Sequence, residues 1–146
     1  MKSTCRIREF IYPDDYPAVL ALWETSGPGI HVGRSDSPLE IKKKLQRDPD
    51  LFLVAETDGQ IIGTIIGGFD GRRGLVYHLG VLPGYRRAGI GRALMAEVEI
   101  RLQMKGCLKC YLMVTEDNDA GQFYEACGWE MQNVRLFAKE FITPGQ

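Results

Sequence analysis

The chain has 146 residues, 45% hydrophobic and 25% charged, a composition that supports a globular domain with a sizeable core and excludes disordered and fibrous chains. With 18 Lys and Arg against 19 Asp and Glu, the formal charge is -1 and the pI about 6.1, which excludes broad electrostatic binding to nucleic acid or anionic membrane and makes any anion site local. No run reaches the roughly 18 apolar residues of a membrane span, and the opening MKSTCRIREF lacks the apolar core of a signal peptide, so a cytoplasmic location is expected.

Thr4 to Ile11 reads as a strand. Pro13 to Ser26 reads as a helix with Asp14 and Asp15 in its first turn and Val19, Leu20, Leu22 and Trp23 on its apolar face, stopped by Gly27 and Pro28. The loop GPGIHVGRSDS leads to a second helix from Ser37 and Pro38, where Ser37 and Glu40 have capping-box spacing; Lys42, Lys43, Lys44 and Arg47 read as its solvated face. Leu51 to Glu56 and Gln60 to Phe69 are strands joined by TDG, and DGRRG leads to another at Leu75 to Leu82, so the three form an antiparallel meander. Apolar residues at Ile90, Leu94, Met95, Val98 and Leu102 give Ala88 to Lys105 a helical spacing that ends at Gly106. Leu108 to Thr115 is again a strand, and a helix of that length between two strands predicts a right-handed crossover to a parallel neighbour. Ala120 to Ala126 is a short helix ended by Gly128, and Trp129 to Ile142 is a final strand region. No repeat or linker interrupts this order, so residues 1–146 read as one domain.

Of the cysteines Cys5, Cys107, Cys110 and Cys127, only Cys107 and Cys110 have CxxC spacing. A structural zinc needs four ligands and no second pair supplies them, nor does this pair open a helix as redox pairs do. They read as buried or idle thiols, and no metal is expected.

Chemistry concentrates in VLPGYRRAGIGRALM, residues 81–95, where an apolar strand turns into a helix. A helix N-terminus offers unpaired N–H groups and the positive end of its dipole, and glycine there lets an anion approach the backbone. A P-loop requires Lys and a hydroxyl where Ile90 and Gly91 stand, and a dinucleotide fingerprint requires a small residue at Leu94. What remains is Arg86-x-x-Gly89-x-Gly91, followed after the next strand by NDAGQFYEACGW with Phe123, Tyr124, Gly128 and Trp129.

These two motifs and the element order resemble the GNAT superfamily of acyl-CoA-dependent N-acyltransferases over nearly the whole chain. The stretch GGFDGRRG to YHLGV is most similar to small bacterial members. The resemblance implies an α/β (α+β) fold with a mixed, mostly antiparallel sheet, a parallel central strand pair splayed around CoA, and about four helices packed on the sheet. It implies acetyl-CoA as cosubstrate, with its pyrophosphate on the backbone of Arg87, Ala88, Gly89, Ile90, Gly91 and Arg92. Charge-assisted contacts would come from Arg86, Arg87 and Arg92, and the pantetheine would lie along the backbone of Leu79 and Val81. Tyr124 would be the acid that protonates the departing thiolate. Asn118 would contact the cofactor, with Asp117 an alternative for that position.

Many relatives carry a glutamate on the strand before the turn, whereas Leu75 to Leu82 contains no carboxylate. His78 is therefore the candidate base, since imidazole titrates near pH 6.5; Tyr77, or a water chain ending at Glu24 or Asp70, is the alternative. The acceptor would be a primary amine, whether small molecule, amino acid or protein N-terminus, held beside a loop that offers His31, Arg34 and Asp36. Neither nucleic acid nor membrane is an expected partner, and a homodimer is compatible with the resemblance. A noncatalytic acyl-CoA-binding regulator and an unrelated phosphate-binding module are the rival readings.

Overall fold

A computed structural model describes residues 4–116, 118 and 120–142. Strands β1 (Arg6–Glu9), β2 (Phe52–Thr57), β3 (Gln60–Phe69), β4 (Gly74–Val81) and β5 (Cys110–Leu112) lie in one sheet in chain order. The first three pairings are antiparallel, and β4 runs parallel to β5. The α-helices among the described residues are α1 (Tyr16–Glu24), α2 (Pro38–Arg47), α3 (Ile90–Met104) and α4 (Gly121–Ala126). The mixed sheet, its parallel pair and the four helices match the expected fold class.

The run LFLVA at residues 51–55 is apolar throughout because β2 is covered on both faces. Leu53 and Ala55 join Leu94, Met95, Val98 and Leu102 of α3 in one core, while Phe52 and Val54 join Val19, Leu22 and Trp23 of α1 and Ile41 of α2 in the other. Helix α3 lies so close to the sheet that a Cβ on Gly67 would come within 2.7 Å of Val98 Cγ2. Asp58 and Gly59 join β2 to β3 with φ of 50° and 75°, the pair of positive values that a type I′ hairpin turn requires.

Several expectations change in detail. Asp14 and Asp15 precede α1 instead of filling its first turn: the Asp15 carboxylate accepts the Ile11 N–H at 2.7 Å and the Arg8 guanidinium at 2.7 and 3.0 Å, closing the turn out of β1. Ser37 caps α2 as expected, its hydroxyl accepting the Glu40 N–H at 3.5 Å. Lys44 leaves the solvated face, with a side chain 14% exposed and Nζ 3.0 Å from the carboxylate of buried Asp48.

The main correction concerns the C-terminal region. Residues 129–142 form no strand, and Met131, Val134, Leu136, Phe137, Phe141 and Ile142 are exposed. An apolar pattern becomes a strand only where another edge accepts its N–H and C=O groups, and no described strand pairs with this segment. β5 is also shorter than Leu108 to Thr115, and the parallel pair stands at the edge of the described sheet. Cys107 is buried, and burial first, then Cys107 and Glu99, pushes the Cys110 thiol up to about 11, which keeps Cys110 protonated at neutral pH. No helix among the described residues is long and apolar enough to cross a membrane.

Candidate active site

β4 builds the site at the point where its pairing with β5 ends and its pairing with β3 is interrupted by a bulge. Its pairing with β5 runs only from Gly74–Cys110 to Val76–Leu112. On the other side Thr64 faces Gly80 but Ile66 faces Tyr77, so β4 carries one extra residue at His78–Leu79. His78 there has φ of 55°, a left-handed conformation that costs a non-glycine residue about 1 kcal/mol or more. Such a bulge re-aims a side chain. Beyond Val76 the gap between β4 and the chain after β5 is a cavity of about 170 Å³. Tyr77, His78 and Leu79 line it on one side and Leu112, Met113 and Thr115 on the other, together with Asn118, Tyr124, Gly29 and His31.

His78 is held from several directions. Its Nε2 lies 2.9 Å from Asp36 Oδ1, and its ring meets the Trp23 ring edge-on at 4.9 Å. Asp36 is 6% exposed and also accepts the Gly33 N–H at 3.0 Å. Burial acts to raise the Asp36 pKa, but the His78 hydrogen bond, the Gly33 N–H and the His78 charge together outweigh it and leave the carboxyl below its ordinary value.

Tyr124 on α4 is half-buried, packs against the α3 core and meets Phe123 edge-on at 5.3 Å. Burial, then Cys127, raises its pKa, so the phenol is protonated at neutral pH. A Cβ on Gly91 would come within 3.3 Å of Phe123 Cζ. The second glycine of the turn thus lets α4 pack against the start of α3, and the two sequence motifs touch in space.

Between β4 and α3, Arg86 folds back and its Nε donates to the Val81 carbonyl at 3.1 Å. Arg87 and Gly89 have φ of 66° and 81°. Gly89 provides no side-chain cap, and the first bond of α3 joins the Ala93 N–H to the Gly89 carbonyl at 3.0 Å. The N–H groups of Ile90, Gly91 and Arg92 therefore face outward at the positive end of a 15-residue helix. Arg86, Arg87, Ala88, Gly89 and Arg92 are exposed, whereas the Ile90 side chain enters the core.

The remaining candidates divide. Leu79 lines the cavity with Tyr77, whose hydroxyl is raised first by burial and then by Asp48 and Asp36, which disfavours it as a base. Val81 pairs with Gly63 next to the turn. Asn118 lines the cavity and its Oδ1 accepts the Ala120 N–H at 3.0 Å; Asp117 lies outside the described residues. Glu24 is exposed, and Asp70 accepts the Arg72 and Arg73 N–H groups of its own turn at 2.7 and 2.8 Å. Neither lines the cavity. Of the loop residues, His31 reaches the cavity, Arg34 donates to the Phe141 carbonyl, and Asp36 turns inward to His78. The inward role of Asp36 has no signal in the sequence, because its partner is 42 positions away.

The acetyltransferase (GNAT) domain family matches residues 48–131. An acetyltransferase of Pectobacterium atrosepticum is 49% identical over 130 residues, covering 88% of this chain and 91% of the relative. An acetyltransferase of Sodalis glossinidius is 46% identical over 131 residues, with coverage of 88% and 91%. Among solved structures, Ard1 from Thermoplasma volcanium superposes with a TM-score of 0.76 at 27% identity, covering 88% of this chain and 84% of that one. The PaiA N-acetyltransferase from Thermoplasma acidophilum, solved with coenzyme A, shares the fold with a TM-score of 0.77 at 23% identity and coverage of 90% and 93%. A split β4–β5 pair, an uncapped helix N-terminus and a tyrosine on the following helix accompany these matches, and the chain belongs to the GNAT family of acetyltransferase enzymes.

Proposed function

We propose that the protein, as one domain over residues 1–146, transfers the acetyl group of acetyl-CoA to a primary amine by direct attack on the thioester. The observation that carries this reading is that one cavity, in the gap between β4 and the chain after β5, holds both His78 and Tyr124. The backbone of residues 87–92 would hold the pyrophosphate, because N–H groups and helix dipole both favour an anion there. The backbone of Leu79 and Val81 would take the pantetheine amides, with the Val81 N–H toward the thioester oxygen, and Asn118 would bound the cofactor side of the cavity.

The amine nitrogen attacks the thioester carbonyl carbon, its proton passes to His78, and the carbon–sulfur bond breaks as sulfur takes the Tyr124 proton. His78 and Tyr124 thereby serve as base and acid, and the products are an amide and CoA. Free amino acids, other small amines and protein N-termini all satisfy this chemistry.

The test is a comparison of melting temperatures with acetyl-CoA, ATP and NAD, followed by CoA release from amine pools. A ligand at a hundredfold excess over its dissociation constant stabilises the native state by about 2.7 kcal/mol, a shift of roughly 5–10 °C for a chain of this size. Acetyl-CoA is expected to give that shift, and the two nucleotides much less. Equal shifts from all three would remove the assignment, and acetyl-CoA binding without CoA release from any amine pool would favour a noncatalytic acyl-CoA-binding regulator.

A further inference from the structure

We infer that Asp36 is a positioning residue for the transfer reaction, fixing the His78 ring so that Nε2 carries the hydrogen and Nδ1 is the atom that takes the proton of the acceptor amine. This rests on the proposed reading of His78 as the base.

The Asp36 carboxylate is itself held in place. Oδ2 accepts the Gly33 N–H at 3.0 Å, and the Asp36 backbone carbonyl accepts the Tyr16 hydroxyl at 2.8 Å. Asp36 ends the 3₁₀ turn Arg34–Asp36 immediately before α2, so the helix start and α1 both anchor it. A carboxylate 6% exposed stays buried only with its oxygens partnered, and here Oδ1 has His78 Nε2 at 2.9 Å. An ionised carboxylate is acceptor only, so the hydrogen of that bond belongs to Nε2. In the neutral ring the lone pair then sits on Nδ1.

The rest of the ring's surroundings fix its plane. Trp23, fully buried, meets it edge-on at 4.9 Å, and Tyr77 does so at 5.7 Å. The β4 bulge supplies the backbone conformation, and positive φ at a non-glycine residue is a feature that persists where the surroundings enforce it. When the amine proton arrives at Nδ1, the ring becomes an imidazolium whose other N–H already faces a carboxylate, and Asp36 stays ionised throughout. The same loop lines the cavity with Gly29 and His31, so the wall beside the acceptor and the group that orients the base form one structural unit.

The experiment uses ¹⁵N-resolved imidazole spectra, for which the chain is suited because it has only two histidines, and His31→Gln leaves the signals of His78 alone. Above neutral pH the His31→Gln protein is expected to show the Nε2–H tautomer, and adding Asp36→Ala is expected to give mixed tautomers. CoA release is followed with an aliphatic polyamine, free amino acids, an amino sugar and a short peptide with a free N-terminus. Asp36→Ala is expected to lower kcat at least tenfold with acetyl-CoA affinity by calorimetry unchanged within twofold; Asp36→Asn, which keeps an acceptor oxygen in place, loses less and serves if the alanine variant does not fold. An Nδ1–H ring in the protein with Asp36 intact, or full turnover in both Asp36 variants, overturns this inference alone. Wild-type protein that binds acetyl-CoA but releases no CoA with any of these amines overturns the parent reading and the catalytic consequence with it, whatever the tautomer.

Discussion

Tyr124 illustrates how one side chain combines packing and chemistry. Tyr124 packs against the α3 core and also lines the cavity, and burial keeps its hydroxyl protonated at neutral pH. Tyr124→Phe keeps the ring, so acetyl-CoA affinity is expected to stay nearly intact while turnover falls. General acid catalysis is worth on the order of 10²- to 10⁴-fold, and a thiolate is already a fair leaving group, so a loss of about 10²-fold or less is expected. The alkaline fall in rate that reports loss of the phenolic proton should disappear in the variant; turnover at the wild-type rate with an unchanged pH profile would show that Tyr124 only packs. Tyr124 and Gly89 could be found in the sequence because local motifs mark them. Asp36 could not, because nothing at 33–37 distinguishes an inward carboxylate from a solvated one until folding brings β4 beneath the loop.

The turn and helix between β4 and α4 show two glycines required for different physical reasons. Gly89 has φ of 81° and open space where a Cβ would stand, so Gly89→Val creates no clash within the protein but places a branched side chain in a left-handed conformation beside the uncapped α3 N-terminus. The fold is expected to lose about 1–2 kcal/mol, and acetyl-CoA binding measured by calorimetry more than that; unchanged affinity in the folded variant would remove Gly89 from the site. Gly91→Val instead pushes on Phe123 and is expected to loosen α4, lowering the melting temperature as well as turnover. The periodicity of α3 and the two-sided burial of LFLVA made those elements readable in the sequence, since each signals its burial locally. The C-terminal region misled because aromatic and aliphatic residues supply strand propensity without specifying a partner strand, and residues 129–142 carry those residues without the pairing.

At the scale of the whole molecule, the two cores either side of the sheet are linked by polar pairs that give the fold a defined pH range. Arg8 joins β1 to Asp15 before α1 and to Glu56 of β2, at 2.7 and 2.8 Å, and Asp36 joins the α2 start to β4. For Asp15, burial acts to raise the pKa, but the Arg8 and Ile11 hydrogen bonds and the Arg8 charge leave it lowered, as the corresponding contacts do for Asp36. A carboxyl whose folded pKa lies below its unfolded value of about 3.9 contributes fully above that value and loses its contribution as pH falls through the folded one. The opposite limb follows from groups kept neutral. Cys110 is raised from 9.0 to about 11, first by burial, and Tyr77 and Tyr124 are raised by burial too, so their contribution is complete below the unfolded values and is lost as pH rises through the folded ones. Urea unfolding across pH is therefore expected to show stability holding from about pH 5 to 9, falling toward pH 3 as Asp15 and Asp36 protonate, and falling again between 9 and 11 as Cys110 ionises. Asp15→Asn should be less stable than wild type at pH 7, with a flatter acid limb and an unchanged alkaline one, because the group whose titration drives the acid loss is gone. Cys110→Ala should flatten only the alkaline limb. An acid limb of wild-type steepness in the doubly substituted Asp15→Asn, Asp36→Asn protein would show that other carboxylates, and not the two that tie loops to strands, govern the unfolding in acid.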